Sequence, residues 1–352
     1  MTHLNARTPP GEDVAQRSHM MKPAFSSDLF KQVLQPDNLR QAWKQVRANK
    51  GAPGIDGMSI EAFPAWVKGG NWIKVDADLR TGRYLPTPVK RLEIDKPDGG
   101  KRQLGIPAVT DRVIQQAIAQ VLTPIADPEF SENSFGFRPK RNGQQAVRQV
   151  HSIIKSGRGI AVDVDLPKFF DRVNHDLLMT HLGYKIRDKR LLQLIKLYLR
   201  AGIVDNQFYI KSREGVPQGG PLSPLLANIM FDPLDKELEH PGHRFARYAD
   251  DFTILVNSRR AGDRVLKSIT RYLECRLKLV VNATKSHVVK TGECKFLGFT
   301  FPNGRIQWHA DSLQKFKQEV RRLTNRNWGV SMQYQLFKLS QYPSAAGLIT
   351  LG

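Results

Sequence analysis

Cysteine is nearly missing from this chain of 352 residues, which carries two, Cys275 and Cys294. Two are too few for a disulfide framework and lie too far apart for a Cys-x-x-Cys clasp, so neither a stapled fold nor a structural zinc site is expected. Both thiols are expected to be small buried side chains. Long apolar runs are missing too. No stretch approaches the roughly 18 residues a membrane-spanning helix needs, and Met1 to Glu12 has no apolar core of the signal-peptide kind. A soluble, cytoplasmic protein with no membrane partner is the expectation. Acidic residues are scarce, 33 against 54 Lys and Arg, leaving +21 at pH 7. That excess predicts a polyanionic partner, and with the membrane disfavoured the candidate is nucleic acid.

The apolar share of 40% and the aromatic share of 9% suit a globular protein of two or three domains. Residues 1–25 are polar and aperiodic, a loose leader. Leu39, Ala42, Trp43 and Val46 recur at helical spacing, with Asp37 or Asn38 as cap and a stop near Lys50-Gly51. Gly51 to Gly57 is loop chemistry. Val89 to Ile94 alternates as a strand, Asp98-Gly99-Gly100 reads as a turn, and Lys101 to Ile106 returns, predicting a basic two-stranded finger. A helix is predicted from Thr110 or Asp111, ending before Pro124. Further on, Gly159 to Leu166 reads as a strand, and Leu177 to Leu182, Leu191 to Leu199 and Pro224 to Leu238 as helices. Strands are predicted on both sides of Asp250-Asp251, at Leu279 to Val281 and at Cys294 to Phe301. This order predicts an α+β fold rather than alternating βαβ units.

Two acidic sites stand out against their surroundings. Asp163 and Asp165 interrupt the apolar run Ile160 to Leu166 at i and i+2, hence on one face of a strand. Asp250 and Asp251 lie between Tyr248-Ala249 and the apolar run Phe252 to Val256. Carboxylates in such places are costly unless something positive compensates. Mg²⁺ meets that need, since it takes oxygen ligands from one or two carboxylates and leaves positions for phosphates. Two such ions can clamp the attacking and leaving oxygens of a phosphoryl displacement.

With these residues in view, the chain resembles the group II intron reverse transcriptases, or maturases. Tyr248-Ala-Asp-Asp251 resembles their palm hairpin, Asp165 to Asp176 (DLPKFFDRVNHD) the block bearing the first catalytic aspartate, and Gly215 to Ile229 (GVPQGGPLSPLLANI) the nucleotide-pocket block. Asn49 to Gly57 is similar to their N-terminal extension, Ser134 to Arg141 (SFGFRPKR) to a fingers block, and Asn282 to Lys285 and Phe296 to Phe299 to the last palm blocks. The likeness runs from about residue 30 to 342, with the blocks in family order.

The resemblance implies a right-hand polymerase: residues 26–158 as N-terminal extension and fingers, 159–310 as palm, with about 206–235 packing toward the fingers, and 311–352 as the start of a helical thumb. It implies an RNA-directed DNA polymerase with two Mg²⁺ held by Asp165, Asp250, Asp251 and the Leu166 carbonyl. Pro167 departs from the usual polar residue but biases Leu166 toward extended geometry. Asp163 matches no catalytic position and is read as peripheral or structural. Phe170 falls where the family excludes a ribose 2′-hydroxyl. Lys96 and Arg102 would meet the triphosphate, Gln218 and Gly219 would allow close backbone approach to a base pair or sugar, and Lys285 would approach the pyrophosphate. Arg138, Lys140 and Arg141 suit RNA phosphates, with Phe135 and Phe137 assigned to the core. The implied partners are an intron RNA template, a DNA primer and deoxynucleoside triphosphates.

Val320 to Tyr342 resembles the start of the thumb and the likeness stops at Pro343, so a truncated intron protein with weak, early-dissociating synthesis is the expectation. Other readings are a splicing cofactor without chemistry, a retron or diversity-generating enzyme, and a metal-dependent nuclease. No His-rich or Cys-pair nuclease motif is present, so no endonuclease domain is expected.

Overall fold

In the computed structural model, which describes residues 28–95, 101–205 and 208–345, the strands follow as β1 (Val89–Asp95), β2 (Lys101–Ile106), β3 (Ile160–Val164), β4 (Ile203–Asp205), β5 (Phe208–Ile210), β6 (Arg244–Tyr248), β7 (Asp251–Val256), β8 (His287–Lys290), β9 (Phe299–Thr300) and β10 (Gln307–Trp308). Helices fill the intervals, giving the expected α+β fold.

Alternation in both runs makes β1 and β2 an antiparallel pair, in register from Lys90↔Ile106 to Asp95↔Lys101. The predicted turn at Asp98 to Gly100 lies outside the described residues. The pair does not stand alone as the predicted two-stranded finger. β4 joins β1 in parallel, with Val89 opposite Ile203, and the sheet order is β2-β1-β4-β5. Three-residue strands are too short to show a period, so β4 and β5 depend on their neighbours and were not foreseen.

The second sheet has the order β6-β7-β3-β8, which puts β3 in the interior and Asp163 opposite both Thr253 and His287. β8 was not predicted, and Leu279 to Val281, read as a strand, is not one. Leu279 is buried, and its amide donates to Leu273 O at the end of the Arg259–Cys275 helix. Its apolar character therefore serves a helix-to-loop seal. Of Cys294 to Phe301 only Phe299–Thr300 is strand, because Phe296 and Phe299 exchange backbone bonds of 2.9 Å across a tight turn.

Two helix boundaries also differ from expectation. The Pro36–Ala48 helix starts on Pro36, whose missing N–H is harmless in the first turn, rather than on an Asp37 or Asn38 cap. Asn38 instead donates to the carbonyls of Val33 and Ala117. The Val109–Ala126 helix runs through Pro124, since Ala126 and then Phe130 are buried and their packing holds the last turn despite the lost backbone bond. Asp111 is fully buried in that helix, accepting from Tyr84 Oη at 2.6 Å and Thr87 N at 3.0 Å.

The Ser223–Glu239 helix opens on Ser223-Pro224 as expected and packs beside β6, with Phe231 stacked on Phe169 at 4.4 Å between ring centroids. One core links it to the Val109–Ala126 helix and the inner face of the second sheet. Among the described residues no helix is long and apolar enough to cross a membrane.

Candidate active site

β3 is held on both edges, so the side chains leaving its C-terminal end are rigidly placed. The Asp165 amide donates to Ser286 Oγ at 3.0 Å, and the Asp165 carbonyl accepts from Asn282 N at 2.9 Å. The turn from Asn282 to Ser286 thus grips Asp165 on both sides. Across the sheet, β6 and β7 close on the two-residue turn Ala249-Asp250, with Tyr248 paired to Asp251. Asp163, Asp165, Leu166, Asp250, Asp251 and Lys285 all line one cavity of about 730 Å³. Asp163, read from sequence as peripheral or structural, lines the same wall. Its Oδ1 accepts from Thr253 Oγ1 at 2.8 Å and from the Cys294 thiol at 3.5 Å.

The charges here repel one another. Loss of hydration, then the fields of Asp163, Asp250 and Asp165, push the Asp251 carboxyl up to about 7, against donation from the Leu297 amide. Burial likewise raises Asp163, and burial followed by the Asp163 charge raises the Cys294 thiol. Carboxylates gathered on one cavity wall, with Asp251 and Asp163 held above their ordinary range, offer hard oxygen donors that fit a divalent cation. Among the described residues no three His, Cys, Asp or Glu side chains form a ready-made cage.

Sequence reasoning missed the group that holds the turn. Arg247 is fully buried and donates to both oxygens of buried Asp235, at 2.7 and 2.6 Å, to Asn228 Oδ1 at 3.1 Å, to Ser134 Oγ at 2.7 Å and to the Ala249 carbonyl at 3.0 Å. Ala249 has φ 59°, a left-handed conformation that costs a non-glycine residue roughly 1–2 kcal/mol. Gly136 rests against the same turn, where a Cβ would overlap the Ala249 nitrogen. The 133–136 segment is also tied to β6 by Phe135 N to Arg247 O and Arg247 N to Asn133 O, both 2.8 Å. A charge inside the apolar run Phe245-Ala246-Arg247 is the same kind of signal that picked out the aspartates, and would have found this residue.

The reverse transcriptase (RNA-dependent DNA polymerase) family matches residues 94–301. The chain belongs to that family, in its group II intron-encoded branch. It is 32% identical to Protein YkfC of Escherichia coli K12 over 79% of this chain and 82% of that protein. It is 38% identical to the group II intron-encoded protein LtrA of Lactococcus lactis over 59% of this chain, but spans only 34% of LtrA. In fold it is similar to Candida tropicalis telomerase in complex with a TWJ fragment of telomeric RNA, at TM-score 0.52 and 15% identity over 78% of this chain and 52% of that one.

Other residues singled out in this reverse transcriptase fall into three groups. Phe170 and Gln218 are anchored through the backbone: Val216 N donates to Phe170 O at 2.6 Å, and Gly105 N of β2 to Gln218 O at 2.7 Å. Gly219, at φ 124°, makes its close approach to Gly105 O, where an added Cβ would sit at 2.5 Å. Phe170 is half-buried, edge-on to Phe169 at 5.1 Å. Lys96 and the side chain of Arg102 lie outside the described residues.

The basic fingers block divides differently from expectation. Arg138 is buried and donates to the Asp127 side chain and carbonyl and to the Ser131 and Ser134 carbonyls, so it braces the protein instead of facing RNA. Arg141 is bound to Glu132 by side chain and carbonyl. Lys140 is exposed. Phe135 is core, whereas Phe137, also assigned to the core, is 48% exposed at φ 59° beside Tyr248. Cys294 is buried as expected, but Cys275 is exposed.

Proposed function

We propose that this reverse transcriptase extends a DNA primer on an RNA template by two-metal phosphoryl transfer. The observation that carries the reading is the convergence of Asp165, from the end of β3, and Asp250 and Asp251, from the β6–β7 turn, on one cavity. The primer 3′-oxygen forms a bond to the α-phosphorus of a deoxynucleoside triphosphate, and the α–β phosphoanhydride bond breaks with loss of pyrophosphate. Asp165, Asp250 and Asp251, with the Leu166 carbonyl, would hold two Mg²⁺, whose charge would stabilise the attacking and leaving oxygens.

The chain's own residues supply position and discrimination. Phe170 would set a rigid ring against the sugar and reject a 2′-hydroxyl by overlap. Lys285, exposed at the cavity wall, would give a proton to the departing pyrophosphate. Lys96 and Arg102 would neutralise the triphosphate from the β1–β2 hairpin. Residues 26–158, 159–310 and 311–352 would act as fingers, palm and thumb start. An intron-splicing role on the same basic surface is the second reading, favoured by the likeness to LtrA.

The test is primer extension on an RNA template by Asp165→Asn and Asp250→Asn proteins. Each should lose at least about 10³-fold in rate, an expectation from the loss of electrostatic stabilisation at the reacting phosphate, while RNA affinity changes less than about threefold because the basic surface stays. Extension near the wild-type rate in either variant would sink the mechanism.

A further inference from the structure

A second cavity, of about 480 Å³, lies at the end of the second sheet remote from the aspartates. Arg158 leads into β3, His243 and Arg244 open β6, Val256 and Asn257 close β7, and Arg264 and Ser268 face it from the Arg259–Cys275 helix. The five residues of β3 and six of β7 separate it from the carboxylates by roughly 15–20 Å at strand rise. The catalytic chemistry cannot use it.

Its lining is one-sided in charge. Three arginines and a histidine contribute, and no carboxylate does. Among the described residues no ion pair involves Arg158, Arg244 or Arg264, whereas the buried Arg138 and Arg247 are each paired with an aspartate. Arg158 is half-buried and steadied by its bond to Ser156 Oγ at 3.0 Å, whereas Arg244 and Arg264 are exposed at the rim. Guanidinium groups converging on a recess without a counter-charge form a site for a phosphate-sized anion, with Asn257 and Ser268 as neutral donors. No Phe, Tyr or Trp lines the recess, so nothing there would stack on a base. The ligand is read by its phosphates alone, which on a chain of +21 favours a polynucleotide over a free nucleotide.

We propose that this recess is a second RNA contact, binding backbone phosphates of a long or structured RNA on the side of the palm opposite the active site. This rests on RNA being the template, and the two are separable because extension on a short template–primer reads the active site and affinity for long RNA reads the recess. Fluorescence anisotropy with a structured RNA would compare the wild type with Arg158→Gln/Arg244→Gln/Arg264→Gln. The expected result is roughly tenfold to a hundredfold weaker binding near 0.1 M salt, with the slope of log K against log salt shallower by about 2, as for three lost phosphate contacts on single-stranded RNA. Extension on the short duplex and the melting temperature should hold, and the Arg→Lys triple variant should recover most of the slope. If the triple variant does not fold, Arg244→Gln and Arg264→Gln, both on exposed side chains, serve singly, each with a slope change near 0.7. Unchanged affinity and slope would overturn the proposal. So would millimolar inorganic phosphate weakening long-RNA binding equally in the wild type and the variant, since competition at the recess should be felt only where its arginines are present.

Discussion

Arg247 shows how much of an active site can depend on a side chain that never meets substrate. Its donors join Asp235 and Asn228 on the Ser223–Glu239 helix, Ser134 in the 133–136 segment and the carbonyl of Ala249 inside the turn that carries Asp250. Removing one partner of a buried ion pair leaves an uncompensated charge and costs about 3–5 kcal/mol, whereas replacing both with apolar groups is often close to neutral. Arg247→Met should therefore lower stability to denaturant by that amount, and Arg247→Met/Asp235→Leu should regain most of it. Primer extension should stay impaired in the double variant, because the left-handed turn at Ala249 has lost its clamp. Full activity in a restabilised double variant would reduce Arg247 to a core residue.

The Val109–Ala126 helix carries a different buried charge. Burial raises the Asp111 carboxyl from 3.8 to about 6, even though Tyr84 and Thr87 donate to it. A folded value above the unfolded one means that the protonated form is the better tolerated in the native protein. Its stabilising contribution is complete below pH 3.8 and is lost as pH rises through about 6, a difference on the order of 3 kcal/mol. The wild-type stability minus that of Asp111→Asn should accordingly fall between pH 4 and 6 and level off above. A flat difference curve from chemical denaturation would show that Tyr84 and Thr87 compensate the charge fully. The same helix explains why its boundary was illegible in sequence: Pro124 normally ends a helix, and only burial of Ala126 and Phe130 carries the chain past it.

Across the whole protein the charge of +21 should govern binding to template. Each neutralised phosphate releases counterions, so log K should fall linearly with log salt, and several contacts would cost about 10³-fold or more between 50 and 200 mM salt. A salt-independent affinity would assign the excess charge to something other than nucleic acid. The sequence carries the family assignment on its own, because carboxylates set into apolar strands and short blocks in family order are local properties that survive without coordinates. It also determined the α+β class and most of the long helices, whose apolar periods repeat often enough to be read. What tertiary structure alone decided is the fate of each charge and the short strands. Arg138 and Arg141 look like RNA contacts in their block, but Asp127 and Glu132 occupy them, and Arg247 has its partners on other elements. β8 likewise becomes a strand by lying against β3. A charge or a four-residue segment takes its role from what is beside it in space, and those neighbours can lie far off in the chain, 131 residues away for Asp163 and Cys294.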